Sequence, residues 1–138
     1  FAKDEHLFLN VEIKNISDIF SDDTVVEIII DMIKKTQTEH LVLLSSFYHP
    51  YLLKCKKLSS GIPTAALQAY KHPHDLISYL HTLQVDAYHP EDKITNKKIV
   101  ADLREAGFLI NVFTVNDTKR KMQLFEWGVN GIFTDSLV

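Results

Sequence analysis

The stretch Leu9-Asn10-Val11-Glu12-Ile13-Lys14 alternates between apolar and polar residues, which is the pattern of a β-strand with one buried face. Side chains at alternate strand positions project to the same side, so the three apolar residues share one face and the three polar residues share the other. A carboxylate (Glu12) and an ammonium group (Lys14) at the end of a strand either form an ion pair or line a cavity in which chemistry takes place. The rest of the sequence favours the cavity.

The composition predicts a single globular domain over residues 1–138. The chain is 46% hydrophobic and 24% charged, which is ordinary for a folded domain of this size. No apolar run approaches the roughly 20 residues of a membrane-spanning helix, so no membrane span is predicted. The net charge of −3 gives no electrostatic case for binding nucleic acid. The single cysteine, Cys55, excludes an internal disulfide and fits a reducing compartment.

Strands and helices alternate along the whole chain. Six strands are predicted, at 9–14, 41–47, 64–67, 85–88, 109–115 and 129–134. Five helices are predicted between them, beginning near Thr24, Pro50, Pro73, Thr95 and Asn116. Asp22 and Asp23 precede the first helix, where negative charges interact favourably with the helix dipole and stabilise the helix. Thr95 is the expected N-cap of the fourth helix, and Gly107 is expected to end it.

This alternation predicts a parallel sheet built from βαβ units, because parallel strands need long crossover connections. Two architectures fit the pattern: an open doubly wound sheet, or a (β/α)₈ TIM barrel with units missing. A complete barrel takes about 250 residues, so this chain would supply only part of one. The sequence contains no GxGxxG and no GxxxxGK[ST] motif, so dinucleotide and P-loop binding have no support.

Polar and aromatic residues collect where the predicted strands end, the edge at which parallel α/β folds bind their ligands. They are Glu12, Lys14, Ser45, Ser46, Phe47, Tyr88, His89, Thr114, Asn116, Asp117, Thr134 and Asp135. A carboxylate in such a place suits Mg²⁺ or Ca²⁺, although these ions require several oxygen ligands. A lysine beside it can hold an anionic oxygen such as that of a phosphate. An ordinary ion pair between Glu12 and Lys14 remains the alternative.

Four segments, in this order, resemble the glycerophosphodiester phosphodiesterase (GDPD) family. Residues 9–14 are similar to its LN-[IV]-E-[IL]-K strand, and Ser45-Ser46-Phe47 resembles its serine-phenylalanine strand end. Residues 112–117 resemble its V-W-T-V-N-D segment, and residues 128–135 resemble its G-V-D-G-I-[IF]-T-D ending. The resemblance implies a (β/α)₈ barrel that hydrolyses a small-molecule glycerophosphodiester to an alcohol and glycerol phosphate, with a divalent metal as cofactor.

The resemblance also assigns roles to individual residues. It implies that Glu12 ligates the metal, Mg²⁺ or Ca²⁺, and that Lys14 contacts the phosphate. It implies that Phe113 lines the substrate pocket, where tryptophan is usual, so the indole N–H donor is lost here. Phe47, His89 and Asn116 are further candidates for substrate binding, since each lies at the end of a predicted strand.

One part of the family pattern is absent from this sequence. The His-Arg opening strand, the paired Glu and Asp metal ligands and the second histidine lie upstream of the glutamate strand in the family. We therefore expect residues 1–138 to be the C-terminal six βα units of a longer enzyme, inactive as a separate piece. The alternative is a non-catalytic α/β binding or interaction domain with a degenerate site. Missing barrel units would leave strand edges bare, so a homodimer is also expected.

Overall fold

The computed structural model describes Glu5, residues 7–19 and residues 24–137. Six strands lie in this part of the chain: β1 (Leu9–Glu12), β2 (Val42–Ser46), β3 (Thr64–Gln68), β4 (Ala87–Pro90), β5 (Leu109–Val112) and β6 (Gly131–Ile132). The helices that alternate with them are α1 (Thr24–Thr36), α2 (Pro50–Leu58), α3 (Leu76–Leu83), α4 (Lys97–Glu105) and α5 (Thr118–Trp127). The predicted order of elements is therefore confirmed. Asp22 and Asp23, expected to favour the start of α1, lie outside the described residues.

The first of two compact units comprises residues 1–66 and 83–85. Within it β1 pairs in parallel with β2, and β2 pairs in parallel with the first residues of β3. Helices α1 and α2 pack together. The apolar core consists of Ile13, Val26, Ile30, Ile33, Val42, Leu44, Tyr51, Cys55 and Ile62. Burial raises the pKa of the Cys55 thiol to about 11, so this cysteine is an unreactive core residue.

The second unit comprises residues 67–82 and 86–138. The end of β3 meets the end of β4 through a hydrogen bond from Glu91 N to Gln68 O at 2.8 Å. Strand β4 pairs in parallel with β5, and β5 pairs in parallel with β6. Helix α4 packs on β5 and on α5, and Leu103, Ile110 and Leu124 have no exposed surface. These contacts fix the carboxyl ends of three neighbouring strands.

The residues that cap α4 and α5 agree with the sequence prediction in part. Asn96 is the N-cap of α4, since its side chain accepts from Ile99 N at 2.9 Å. The prediction of Thr95 as the cap is wrong, because the Thr95 hydroxyl donates instead to Glu91 O at 2.9 Å. Gly107 ends α4 as predicted, with a φ of 89° that is strained for other residues. Gly128 ends α5 in the same way, with a φ of 99°.

Strand boundaries differ slightly from the prediction. Strand β4 begins two residues later than expected and includes Pro90, whose carbonyl accepts from Phe113 N at 3.1 Å. A proline lacks an N–H donor but keeps its acceptor, so it can close a strand in this way. Strand β1 ends at Glu12, which leaves Lys14 just beyond it. None of the helices in the described ranges is long and apolar enough to cross a membrane.

Candidate functional site

Glu12 and Lys14 form an ion pair at the end of β1, with 2.6 Å between Glu12 Oε1 and Lys14 Nζ. The Lys14 side chain is 75% exposed and that of Glu12 is 31% exposed. The pair is therefore solvated rather than buried, and such pairs contribute only about 0–1 kcal/mol to stability. Both charged groups can exchange this partner for a ligand at little energetic cost.

The end of β2 places a hydroxyl group and an aromatic ring in the same unit. Ser45 pairs with Glu12 in the parallel register, and its buried hydroxyl makes no hydrogen bond within the described residues. Ser46 has a structural role, since its hydroxyl donates to Ile13 O at 2.6 Å and accepts from Tyr48 N at 3.1 Å. Phe47 follows the strand and is 47% exposed. The first unit thus presents a carboxylate, an ammonium group and an accessible ring at two adjacent strand ends, while the Ser45 hydroxyl is buried.

A complete metal centre is not formed by these residues. Within the described ranges no three or more His, Cys, Asp or Glu side chains lie together in a group that could hold a metal ion. Mg²⁺ and Ca²⁺ require several oxygen ligands, and Glu12 supplies one carboxylate. The part of the chain that the structure describes therefore does not fit a whole Mg²⁺ or Ca²⁺ site, and no reaction step is assigned to a metal.

His89 is a fully buried residue of β4 in the second unit. Its Nε2 lies 2.9 Å from Asn111 Nδ2, and its ring lies 5.2 Å from that of Phe133 in an edge arrangement. Its Nδ1 is buried and has no hydrogen-bond partner within the described residues. Burial lowers the pKa of His89 to about 4, because the charged imidazolium loses its hydration. The ring is therefore neutral at physiological pH.

The buried His89 ring is expected to make the second unit less stable at acid pH. The pKa of His89 is about 6.5 when unfolded and about 4 when folded. The unfolded chain therefore binds the proton more tightly than the folded chain. The stability that the neutral His89 ring gives the folded chain is fully present above pH 6.5 and is lost as the pH falls towards 4. The full difference amounts to about 3 kcal/mol. Urea unfolding followed by fluorescence of the single tryptophan, Trp127, measures it between pH 7 and pH 4.

The control for this pH dependence is a His89→Gln variant, which cannot take up the proton. Other groups titrate in both proteins, so the relevant quantity is the difference between their free energies of unfolding at each pH. That difference should shrink by about 3 kcal/mol from pH 7 to pH 4. A constant difference across the range would show that His89 is not the group responsible.

Asn116 connects the ends of β5 and β6. Its Nδ2 donates to Asp135 Oδ2 at 2.9 Å, and its Oδ1 accepts from Thr134 Oγ1 at 3.0 Å and from Asp135 N at 2.9 Å. These contacts use most of the hydrogen-bonding capacity of the amide, and they leave one of the two Nδ2 hydrogens available. Phe113 follows β5, is half-buried, and donates its backbone N–H to Pro90 O.

The structure brings Glu12 and Lys14 into contact and joins Asn116 to Thr134 and Asp135, which the sequence also placed at strand ends. The partner of His89 lies outside the predicted set. Asn111, the partner of His89, was not identified from the sequence. Its signal was a polar residue within the apolar strand at 109–115, on the same strand face as Phe113. The pairing with His89 depends on the parallel register of β4 and β5, which the sequence does not reveal.

Comparison with known proteins identifies the family of this chain. The model of the Glycerophosphoryl diester phosphodiesterase family matches residues 3–138. A glycerophosphodiester phosphodiesterase of Bacillus altitudinis is 35% identical over 130 residues, which cover 92% of this chain and 51% of that protein. A second glycerophosphodiester phosphodiesterase, from Bacillus subtilis strain 168, is 31% identical over 98 residues, covering 68% of this chain and 33% of that protein. The chain thus spans about half the length, or less, of these relatives.

Solved structures show the same fold. A phosphodiesterase of Oleispira antarctica, in complex with the product sn-glycerol-3-phosphate, superposes with a TM-score of 0.87 at 22% identity. This match covers 96% of the present chain and 53% of the other. A glycerophosphodiester phosphodiesterase of Parabacteroides distasonis gives a TM-score of 0.84 at 20% identity, covering 96% of this chain and 55% of the other. The expected fold, part of a (β/α) barrel, is confirmed. With the family model matching nearly every residue, this chain belongs to the glycerophosphoryl diester phosphodiesterase family.

Proposed function

We propose that this chain is part of a phosphodiesterase that hydrolyses glycerophosphodiesters to an alcohol and glycerol phosphate with a divalent metal, Mg²⁺ or Ca²⁺. The observation that carries the proposal is the family match over residues 3–138, with Glu12 standing as the last residue of β1. Active sites of (β/α) barrels lie at the carboxyl ends of their strands. The Oleispira antarctica relative, which was solved with sn-glycerol-3-phosphate, supports the substrate class.

In this proposal Glu12 is one of several metal ligands and Lys14 contacts the phosphate. The exposure of their ion pair supports these roles, since neither group is held by a buried network. When the ion pair opens, each side chain loses its oppositely charged partner. A cation bound by Glu12 and a phosphodiester bound by Lys14 would take the place of those partners. The two ligands would thus bind without leaving an unpaired charge at the site.

The remaining predicted residues would offer apolar surface and hydrogen bonds to the substrate. Phe47 in the first unit and Phe113 in the second would each offer an apolar surface to a substrate, and neither ring offers a hydrogen-bond donor. His89 and Asn116 would supply hydrogen bonds, His89 from its unpaired ring nitrogen and Asn116 from its remaining amide hydrogen. Because Phe113 offers no donor, selectivity for the alcohol would come from the shape of the site more than from a polar contact at position 113.

We further propose that the acid–base groups and the other metal ligands come from outside these 138 residues, so that the chain by itself is inactive. The chain spans about half of the Bacillus altitudinis relative. Its described residues do not form a group of three metal-binding side chains. General acid–base catalysis also needs a group that exchanges protons near neutral pH, whereas His89 stays neutral.

A chimera tests this function. The segment of the Bacillus altitudinis enzyme that matches this chain is replaced by residues 1–138, and hydrolysis of glycerophosphocholine is followed with and without Mg²⁺ or Ca²⁺. We expect metal-dependent turnover by the chimera and none by the isolated chain. The unmodified relative is the positive control, and circular dichroism checks that the chimera folds. A folded chimera without turnover would contradict the proposal.

A non-catalytic binding domain is the second candidate function. It is favoured by the lack of a three-residue metal group in the described ranges. It predicts a folded chimera that binds sn-glycerol 3-phosphate without hydrolysing glycerophosphocholine, so the same experiment separates the two functions. The homodimer expected from bare strand edges stays a prediction, which sedimentation velocity of the isolated chain can check.

A further inference from the structure

The position of one proton in the second unit follows from the contact between His89 and Asn111. We propose that Asn111 is a positioning residue that holds His89 as the neutral tautomer with its proton on Nδ1, so that the ring donates a hydrogen bond to an oxygen of bound glycerol phosphate or its diester. The role of the ligand rests on the proposed function. The role of Asn111 rests on the geometry of the second unit alone.

The tautomer is determined by the chemistry of the two contacting atoms. Asn111 Nδ2 lies 2.9 Å from His89 Nε2, within hydrogen-bond distance. An amide nitrogen carries two hydrogens and offers no lone pair, so it can only donate. His89 Nε2 must therefore be the acceptor, and in a neutral imidazole the proton then resides on Nδ1.

Gly131 on β6 leaves room for the amide group of Asn111. These two residues are partners in the parallel register of β5 and β6. A Cβ atom at position 131 would lie 2.6 Å from Asn111 Oδ1, closer than such atoms approach each other. The absence of a side chain at Gly131 therefore provides the space in which the amide oxygen of Asn111 sits, while the amide nitrogen lies against His89 Nε2.

The proton on Nδ1 is a hydrogen-bond donor without a partner. His89 has no exposed surface, and Nδ1 makes no hydrogen bond to the described residues. A buried N–H left unpaired costs free energy, which an oxygen acceptor of a ligand would recover. His89 is one residue from the carboxyl end of β4, the edge where barrels bind their substrates, and a ligand oxygen reaches its Nδ1 when the side chains that cover the ring move aside. Because burial lowers the pKa of His89, the ring is suited to donate a hydrogen bond rather than to exchange a proton with the substrate.

Nitrogen NMR of the ¹⁵N-labelled 138-residue chain tests the tautomer directly, since protonated and unprotonated ring nitrogens have well-separated shifts. We expect His89 to carry its proton on Nδ1 in the wild-type chain. In an Asn111→Asp variant the carboxylate can only accept, so Nε2 should become protonated. Asn96→Asp is the matched control, because aspartate caps a helix as well as asparagine does and the charge change is the same.

A second variant moves the amide without changing Asn111 or His89. In Gly131→Ala the new methyl group meets Asn111 Oδ1, and the His89 tautomer should become mixed. A wild-type proton on Nε2 would overturn the proposal. A proton that stays on Nδ1 in Asn111→Asp and in Gly131→Ala would show that Asn111 does not position it. The wild-type spectrum decides the tautomer even if a variant fails to fold.

Titration of the ¹⁵N-labelled chimera with sn-glycerol 3-phosphate, in the presence of Mg²⁺, tests the donor role. We expect the Nδ1 resonance of His89 to shift on saturation, and Asn111→Leu to weaken binding about fivefold, the worth of one hydrogen bond. Asn96→Asp should bind as the wild type does. Shifts elsewhere in the spectrum but not at His89 would overturn the donor role. No shift of any resonance would instead count against the proposed function, while the proton position would still decide the role of Asn111.

Discussion

A Glu12→Gln substitution in the chimeric enzyme is expected to lower metal-dependent kcat/KM by at least about 100-fold. Glutamine keeps the shape of the side chain but removes the negative charge on which a hard cation depends. The substitution should leave the fold intact, because the ion pair that Glu12 forms with Lys14 is solvated. The loss of activity should therefore be much larger than the loss of stability.

Glu27→Gln is the matched control for this experiment. Glu27 lies on α1 in the same unit and forms an ion pair with Lys54 at 3.0 Å, so its substitution removes an equivalent charge and contact. Both variants are assayed over a series of Mg²⁺ and Ca²⁺ concentrations. We expect Glu27→Gln to retain the wild-type rate and Glu12→Gln to stay inactive at every concentration. Full activity of Glu12→Gln would remove the proposed role of this carboxylate.

The order of elements could be predicted from the sequence because each element carries its own signal. The buried run at 41–47 became β2, and Pro50 opens α2 as the fixed φ of proline favours. The weak strand predicted at 64–67 is confirmed, with one further residue, as β3 (Thr64–Gln68). Helix boundaries were harder to predict, because Thr95 and Asn96 lie next to each other and both residue types cap helices. In the structure the Thr95 hydroxyl donates to Glu91 O, and Asn96 caps the helix.

The site could be predicted only as a set of strand-end residues. Their contacts depend on strand register, which pairs residues that are far apart in the sequence. Register sets Ser45 beside Glu12 and Asn111 beside Gly131, and neither pair has a local sequence signal. The exposure of Lys14 was likewise not predictable, since an alternating strand does not show whether its polar face is covered.

The largest expected loss of stability comes from the core of the second unit. Leu103→Ala is expected to lower the free energy of unfolding by about 2–5 kcal/mol. Leu103 lies on α4 with no exposed surface, and α4 packs on both β5 and α5. Removing three carbon atoms there loses apolar burial and leaves a cavity that these packed elements cannot close. Urea unfolding followed by Trp127 fluorescence measures the change.

The control for this substitution removes the same atoms from a half-exposed position. Leu109 on β5 is 52% exposed, so Leu109→Ala is expected to cost less than about 1 kcal/mol. The comparison separates burial from the loss of a leucine side chain as such. Trp127 is a suitable probe because it ends α5 and lies beneath the Arg120 guanidinium, 4.9 Å from its ring centroid. Equal losses in the two variants would show that the α4 interface with β5 and α5 does not carry the stability of this unit.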